Sequence, residues 1–293
     1  MYNQPTCTSN DVITGWAENC NFDISAPSKL FFQDIDDSFA SESDAKDSAV
    51  WGTKIASKFI LPTPYVQEFD DNSEEDTYYT SPINAIDKFI REGKTKFKFR
   101  LLYDPCLYKR LRGLNGSNQR LIIVDNNNNV IGTSADGVAF KGVLSGTLRV
   151  EKWIHSDGSN PSFIPIMFTV ESGIERNDEV AIFEANFNIK GLNGVQPASL
   201  TIVGTPSGTE IVVDVAQACD GTAITGITET TDFKVLKADG TTEEAVTVVA
   251  ETGTTGRYTL TGVAFETGGT ANLDDVITLG SAYYQGTAVA ITF

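Results

Sequence analysis

The sequence predicts a mainly β protein of two domains: a β-sandwich or barrel body with one or two short helices over residues 1–193, and a second, smaller β-sandwich over residues 194–293. Three observations carry that prediction. Runs rich in β-branched residues alternate with period two along most of the chain, and Gly, Asn, Asp and Pro clusters separate them. Helical periodicity is confined to two short stretches. Composition shifts around residues 191–197: aromatics and charges of both signs are common before this point, whereas Thr, Gly, Ala and Val dominate after it. At 293 residues, 41% of them hydrophobic, the chain is long enough to build two cores.

In chain order, residues 21–25 and 49–61 have strand composition. Residues 62–82 form a long acidic excursion, read as a loop, in which Tyr65, Phe69, Tyr78 and Tyr79 supply apolar anchors for docking; a mobile surface loop is the plain alternative. A helix is predicted over residues 81–91, with Ser81 as N-cap, Pro82 at the first helical position, Ile83, Ile86 and Ile90 at helical spacing, and Gly93 as stop. Residues 94–103 form a strand. A second helix follows over residues 104–112: Asp104 caps it, Pro105 opens it, Leu107 and Leu111 stand at i, i+4, and Gly113 ends it. Residues 119–125 and 130–132 flank an Asn-rich turn and make a hairpin. Residues 137–153 and 162–171 are long β-runs.

After residue 195 the strands are predicted at 199–203, 210–215, 232–236, 245–249, 256–260, 275–279 and 286–293, with a hairpin signal at 238–241. About seven short strands in roughly 100 residues is the arithmetic of an immunoglobulin-like sandwich. The Cys and Trp pattern of antibody domains is absent, since Cys219 is the one cysteine of this segment and it has no Trp. In pattern and composition the segment resembles the immunoglobulin-like domains appended to bacterial surface and phage virion proteins. It is also the more acidic part by density, twelve acids facing three bases, Lys234, Lys237 and Arg257.

A formal net charge of -17 argues against general nucleic-acid binding, which needs basic patches. Against that background Lys94, Lys96, Lys98 and Arg100 fall on one face of their strand, with Thr95, Phe97 and Phe99 on the other. Four like charges in a row repel unless water, salt or opposite charge covers them. Two acidic runs could do so: residues 34–47, and residues 68–76 with Glu68, Asp70, Asp71, Glu74, Glu75 and Asp76. We take the row, these acids, Tyr78 and Tyr79 as a candidate assembly interface, with the acids of a neighbouring subunit as the favoured partner. The plain alternative is a solvated face that keeps an edge strand from aggregating.

Chemistry finds little support. His155 is the single histidine and sits beside a turn, and no Gly-x-Ser-x-Gly is present. Asp125, Asn127 and Asn129 have the first three spacings of a calcium loop, but Val130 stands where its glycine belongs and no closing glutamate follows; a hairpin turn is expected. No glycine-rich phosphate loop occurs. A glycosidase pair of carboxylates is permitted by composition alone. Tyr258, Tyr283 and Tyr284 are the sandwich's candidates for glycan contact, with packing as their expected use. Neither a cofactor nor a metal is expected. No segment approaches the ~18 apolar residues of a membrane span, and the N-terminus lacks a signal-peptide pattern, so a protein made and assembled in a cytoplasm is expected. Of Cys7, Cys20, Cys106 and Cys219, the first two could bridge, but free thiols are expected in a reducing compartment.

This order of elements resembles the tail tube proteins of tailed bacteriophages. The resemblance implies a β-sandwich or barrel body with a flanking helix, copies joined in rings, usually hexameric, that stack through a long loop, and a C-terminal immunoglobulin-like domain outside the tube. Residues 62–82 would match the stacking loop, 104–112 the helix and 137–171 the tube wall. It further implies a virion protein that contacts other virion proteins and lets DNA pass through an acidic lumen without gripping it. The acidic region 34–47 and the helix at 81 lie outside that pattern. They keep open a head or neck decoration, baseplate or adhesion protein whose second domain binds a glycan or protein surface. A polysaccharide-degrading enzyme stands third.

Overall fold

The computed structural model describes residues 25–80, 87–171 and 179–293. Strand is the predominant secondary structure among the described residues, and the two compact units meet in sequence between Leu192 and Asn193. The first unit contains β1 (Pro27–Gln33), α1 (Glu42–Ala45), α2 (Ser48–Ala56), β2 (Ile60–Asp71), β3 (Thr77–Thr80), β4 (Asp87–Arg91), β5 (Lys96–Leu102), α3 (Pro105–Gly113), β6 (Asn118–Asp125), β7 (Asn129–Thr133), β8 (Lys141–Val150), β9 (Phe163–Val170) and β10 (Val180–Glu184).

Six of these strands close into an antiparallel ring in the order β1, β2, β5, β9, β8, β6 and back to β1. β7 and β10 extend the sheet beyond β6 and β8. Alternation fills the inside of the ring: Leu30 and Phe32 of β1, Phe97, Phe99 and Leu101 of β5, and Ile164, Ile166, Phe168 and Val170 of β9 are all buried in one core. α3 joins that core through Leu111, with Leu107, Tyr108 and Leu114 packed against it. The helix forms as its sequence requires: the Asp104 carboxylate accepts from Leu107 N at 2.7 Å and Pro105 occupies the first turn.

A second apolar layer lies outside the ring. Trp51 touches Phe31 and Phe39 at ring-centroid distances of 5.1 and 4.8 Å, and the contacts continue from Phe39 to Phe140 and on to Phe183. This layer corrects the strand expected over residues 49–61. Trp51 and Ile55, four apart and both buried, share one face of α2, whose start is held by the Asp47 carboxylate on Ala49 N. Lys58, at a φ of 63°, takes the left-handed turn that ends the helix before β2 begins. The acidic run 34–47 is likewise a turn followed by α1. Of the strand expected at 21–25, residues 21–24 lie outside the described residues.

The Asn-rich hairpin is a carboxylate-organised turn. Asp125 is buried and accepts from Asn127 N, Asn129 N, Asn129 Nδ2 and Ser25 N, so its oxygens are spent on the chain itself. On β1, Lys29 is only 2% exposed, and its Nζ donates to the carbonyls of Lys190 and Leu192 at 2.8 and 2.5 Å. The last residues of the first unit are thereby tied to the barrel wall.

The second unit is a two-sheet sandwich. Its strands are β11 (Val195–Ile202), β12 (Glu210–Gln217), β13 (Phe233–Leu236), β14 (Glu243–Glu244), β15 (Val246–Glu251), β16 (Arg257–Gly262), β17 (Thr270–Leu273), β18 (Ile277–Leu279), β19 (Ala282–Thr287) and β20 (Val289–Ala290). One sheet runs β15-β16-β12-β11-β19-β18 and the other β14-β13-β17-β20. β11 pairs in parallel with β19, as the first and last strands of immunoglobulin-like sandwiches can. Between the sheets lie Leu200, Val213, Val215, Phe233, Val235, Tyr258 and Leu260. The strand expected over 286–293 is divided: β19 stays in the larger sheet while β20 crosses to the smaller one, so the chain changes layers at Ala288.

Two outcomes follow. Asp104→Ala removes the cap of α3 and lowers the stability of the first unit by about 1 kcal/mol, read from denaturant midpoints; no change would mean the helix is held by packing alone. Burial pushes the Lys29 ammonium down to about 8 from an ordinary 10.5. Between those values the unfolded chain binds more protons than the folded one, so stability rises with pH. The stability difference between the wild type and Lys29→Met should therefore climb in the wild type's favour from pH 8 to 10.5 and stay flat below pH 7.

Candidate assembly interface

β2 is twelve residues long, but only its first half, through Tyr65, lies along β1. From Val66 onward it pairs with β5, placing Glu68 opposite Arg100, Phe69 opposite Phe99 and Asp70 opposite Lys98. The two chains stay together after leaving the barrel: Asn72 N donates to Lys96 O at 2.8 Å and Glu74 N to Lys94 O at 2.9 Å. β3 and β4 then continue the pairing, with Thr77 opposite Arg91 and Tyr78 opposite Phe89. The expected loop is thus one strand of a two-stranded arm. At a rise of roughly 3.3 Å per residue, residues 72–80 reach about 30 Å at most.

This geometry also corrects the helix expected over 81–91. Residues 87–91 are the strand β4, and residues 81–86 lie outside the described residues. The helical spacing of Ile86 and Ile90 coincided with a segment whose partner strand is supplied by β3, and tertiary pairing overrode the local pattern. Gly93 has its own task here. A Cβ at that position would stand 1.9 Å from Glu74 O, so the two chains of the arm approach as closely as they do only because residue 93 lacks one.

The strand of the basic row folds as its alternation predicts: Thr95, Phe97 and Phe99 are buried, while Lys96, Lys98 and Arg100 are half-buried on the outer face. Their partners, however, come from the same chain, which corrects the expectation of a neighbouring subunit's acids. Lys96 Nζ is 2.6 Å from Glu74, Lys98 Nζ is 3.2 Å from Glu151, and Arg100 meets Glu68 and, at 3.9 Å, Asp70. The strand register explains this: an antiparallel ribbon puts residues 68 and 70 beside 100 and 98 before any second molecule is needed. Lys96 holds the Glu74 carboxyl below the usual glutamate range by hydrogen bonding.

The remaining predicted residues divide. Asp71 accepts from Ser73 N and Oγ, and Asp76 accepts from Gly93 N at 2.8 Å, so both brace the arm's turns. Glu75 and Lys94 are exposed. Tyr78 and Tyr79 are each 56% exposed, and sequence reasoning missed their neighbours Phe89 and Ile90, exposed at 53% and 58%. Tyr78 and Phe89 meet edge-on at 5.7 Å. Their pairing was legible only once residues 87–91 were known to be strand.

At the other end of β5, Leu102 and Phe163 of β9 are directly opposed, and Ile154 bridges Phe163 in turn. A chain of rings crosses this end: the Arg112 guanidinium lies 5.8 Å from the Tyr108 ring, Tyr108 is 6.0 Å from Tyr103, Tyr103 stacks on Trp153 at 4.7 Å, and Trp153 meets His155 at 3.7 Å. His155 is therefore a stacking partner on an exposed loop.

Tyr258 and Tyr283 are buried in the sandwich, so packing is their use. Cys106 and Cys219 are both disulfide-bonded, which replaces the free thiols expected there. That expectation rested on the redox compartment, whereas sequence spacing does not reveal which cysteines the fold brings together. Cys7 and Cys20 lie outside the described residues. Among the described residues no cluster of three His, Cys, Asp or Glu side chains suits a metal ion, and no helix is long and apolar enough to cross a membrane. No family model matches the chain, and no curated protein is similar to it in sequence.

The ion pair at the arm's root has a measurable signature. In an NMR titration the Glu74 carboxyl should titrate below the ordinary glutamate range and return to it in Lys96→Gln. Because the folded value is the lower one, the contact contributes at neutral pH and fades as pH falls through that value. An unchanged Glu74 midpoint in the variant would remove Lys96 as its cause.

Proposed function

We propose that this chain is a self-assembling structural subunit of a virion, best read as the tail tube subunit of a tailed bacteriophage. The arm carries the reading. An isolated two-stranded ribbon is marginal in water, because it has no third layer in which to bury its side chains. This one nevertheless presents Tyr78 and Phe89 on one face and Tyr79 on the other, all more than half exposed. Paired apolar faces on a projecting ribbon have their natural burial against another protein surface.

Further support comes from the resemblance of the whole arrangement to tube subunits: a closed β-body, a helix beside the barrel, a projecting element in the position of the stacking loop, and an appended sandwich. In this reading the charges of the row Lys96 to Arg100 stiffen the arm's root from within, and the apolar tip supplies affinity to the next copy. The chain's acidity keeps a DNA conduit from gripping its cargo. With Tyr258 and Tyr283 buried, the competing adhesion reading keeps Tyr284 alone of its aromatic candidates.

Negative-stain microscopy of the purified full-length protein tests the proposal. Rings or long hollow filaments are expected. Gly93→Val should abolish them by splaying the arm, while thermal stability of the barrel stays within about 0.5 kcal/mol, as for a substitution away from any core. A wild-type protein that stays monomeric at high concentration and instead binds a glycan column would transfer the function to the sandwich.

A further inference from the structure

We propose that Asn193 is a site of spontaneous backbone rearrangement, in which the amide nitrogen of Gly194 closes on the Asn193 side chain to give a succinimide and then aspartate or isoaspartate. The chain carries its own control. The tetrapeptide Gly-Leu-Asn-Gly occurs twice, at residues 113–116 and at residues 191–194. Local sequence alone would give both copies the same reactivity. The fold treats them differently.

At the first copy both reacting groups are held. Asn115 Oδ1 accepts from Val150 N at 2.9 Å, and Gly116 N donates to Leu148 O at 2.8 Å, so β8 grips electrophile and nucleophile separately. Gly116 N reaches the Asn115 side-chain carbon only if these bonds open. At the second copy neither group is held: among the described residues, the Asn193 side chain and Gly194 N form no hydrogen bond. Exposure does not separate the two sites, since Asn115 and Asn193 are both exposed. Without a Cβ, Gly194 leaves its nitrogen open to approach.

The Asp-Gly steps of the chain, which close the same ring in principle, are also occupied. Asp136, Asp157, Asp220 and Asp239 each accept from backbone N–H groups two or three residues ahead. Hydrogen bonds, for Asp239 first that of the Thr242 hydroxyl, hold these carboxyls below the usual aspartate range. An ionised carboxylate resists nucleophilic attack. Among the described residues, Asn193–Gly194 is thus the Asn-Gly or Asp-Gly step whose reacting groups are both free.

Water is the only co-reactant. Gly194 N loses its proton and attacks Asn193 Cγ; the new C–N bond forms, the Cγ–Nδ2 bond breaks, and the departing nitrogen takes up a proton and leaves as ammonia. Water then opens the ring. Opening at Cγ gives aspartate, whereas opening at the backbone carbonyl gives isoaspartate, in which the main chain runs through Cβ and Cγ and is longer by a carbon. The product adds a negative charge next to Leu192, whose carbonyl Lys29 holds, and its isoaspartate form lengthens the span from there to Val195, where β11 begins. The connection into the second unit therefore changes with age, in one direction and without an enzyme.

Incubation of the full-length protein in mildly alkaline buffer tests the proposal, with peptide mass mapping and labelling by an isoaspartate-specific methyltransferase as readouts. In the native protein Asn193 should convert at least about tenfold faster than Asn115, the factor expected where two hydrogen bonds must open first. In denaturant the two sites should convert at similar rates, because their tetrapeptides are identical. Asn193→Gln should remove most of the methyl label from the native protein. Equal native rates at the two sites, conversion of both only in denaturant, or a label that persists in Asn193→Gln would each overturn the proposal.

Discussion

Closure of the barrel through β1 is the constraint on which the rest depends. β1 gives one edge to β2 and the other to β6, and in doing so leaves no open edge in the six-stranded ring. Once the ring is closed, which side chains point inward is no longer negotiable, since a slip of one residue would send every core side chain of that strand outward. β1 has seven residues and β2 has twelve, so the surplus of β2 has no partner in β1 and must run along β5 and then away from the barrel. The arm is a geometric remainder of that mismatch.

The ion pairs follow from the same geometry. Antiparallel register brings Glu68 and Asp70 beside Arg100, and the pairs are part-exposed, where each is a weak contributor to stability. Their effect is directional. A ribbon whose root is cross-linked by several weak contacts leaves the barrel at a defined angle, which a bare two-stranded ribbon would not do. A charged outer face also discourages the barrel wall from adding a foreign strand.

Much of this was legible in the sequence. The alternation of residues 95–100, the cap and first turn of α3, the Asn-rich hairpin and six of the seven strands expected in the sandwich rest on local rules and are present, whereas the strand expected over 286–293 is divided and β14 and β17 were not foreseen. What local rules could not reveal was partnership. Residues 49–56 carry strand-like composition yet fold as a helix, because Trp51 and Ile55 need the apolar layer formed by Phe31, Phe39 and Phe140, which comes from distant parts of the chain. Residues 87–91 look helical next to their isoleucines but answer to β3. The basic row was read as a face that needs acids, and Glu68, Asp70 and Glu74 of the run 68–76 do meet it, but Glu151, which meets Lys98, was not foreseen, and which acids sit in the same molecule is decided by register. Sequence separation of over thirty residues between Glu68 and Arg100 hides that choice. The cysteines of the fold were hidden in the same way.

The anchoring of Lys29 has a mechanical meaning. Load carried along the backbone from Asn193 arrives at Leu192, whose carbonyl is held by Lys29 in the closed wall. Within the sandwich, β11 and β19 run in parallel, so tension along β11 from its start and along β19 from its end shears the whole ladder at once instead of opening it bond by bond. Shear of this kind resists force far better than peeling. Tension on the sandwich is thus shared along the whole β11–β19 ladder before either strand is pulled free.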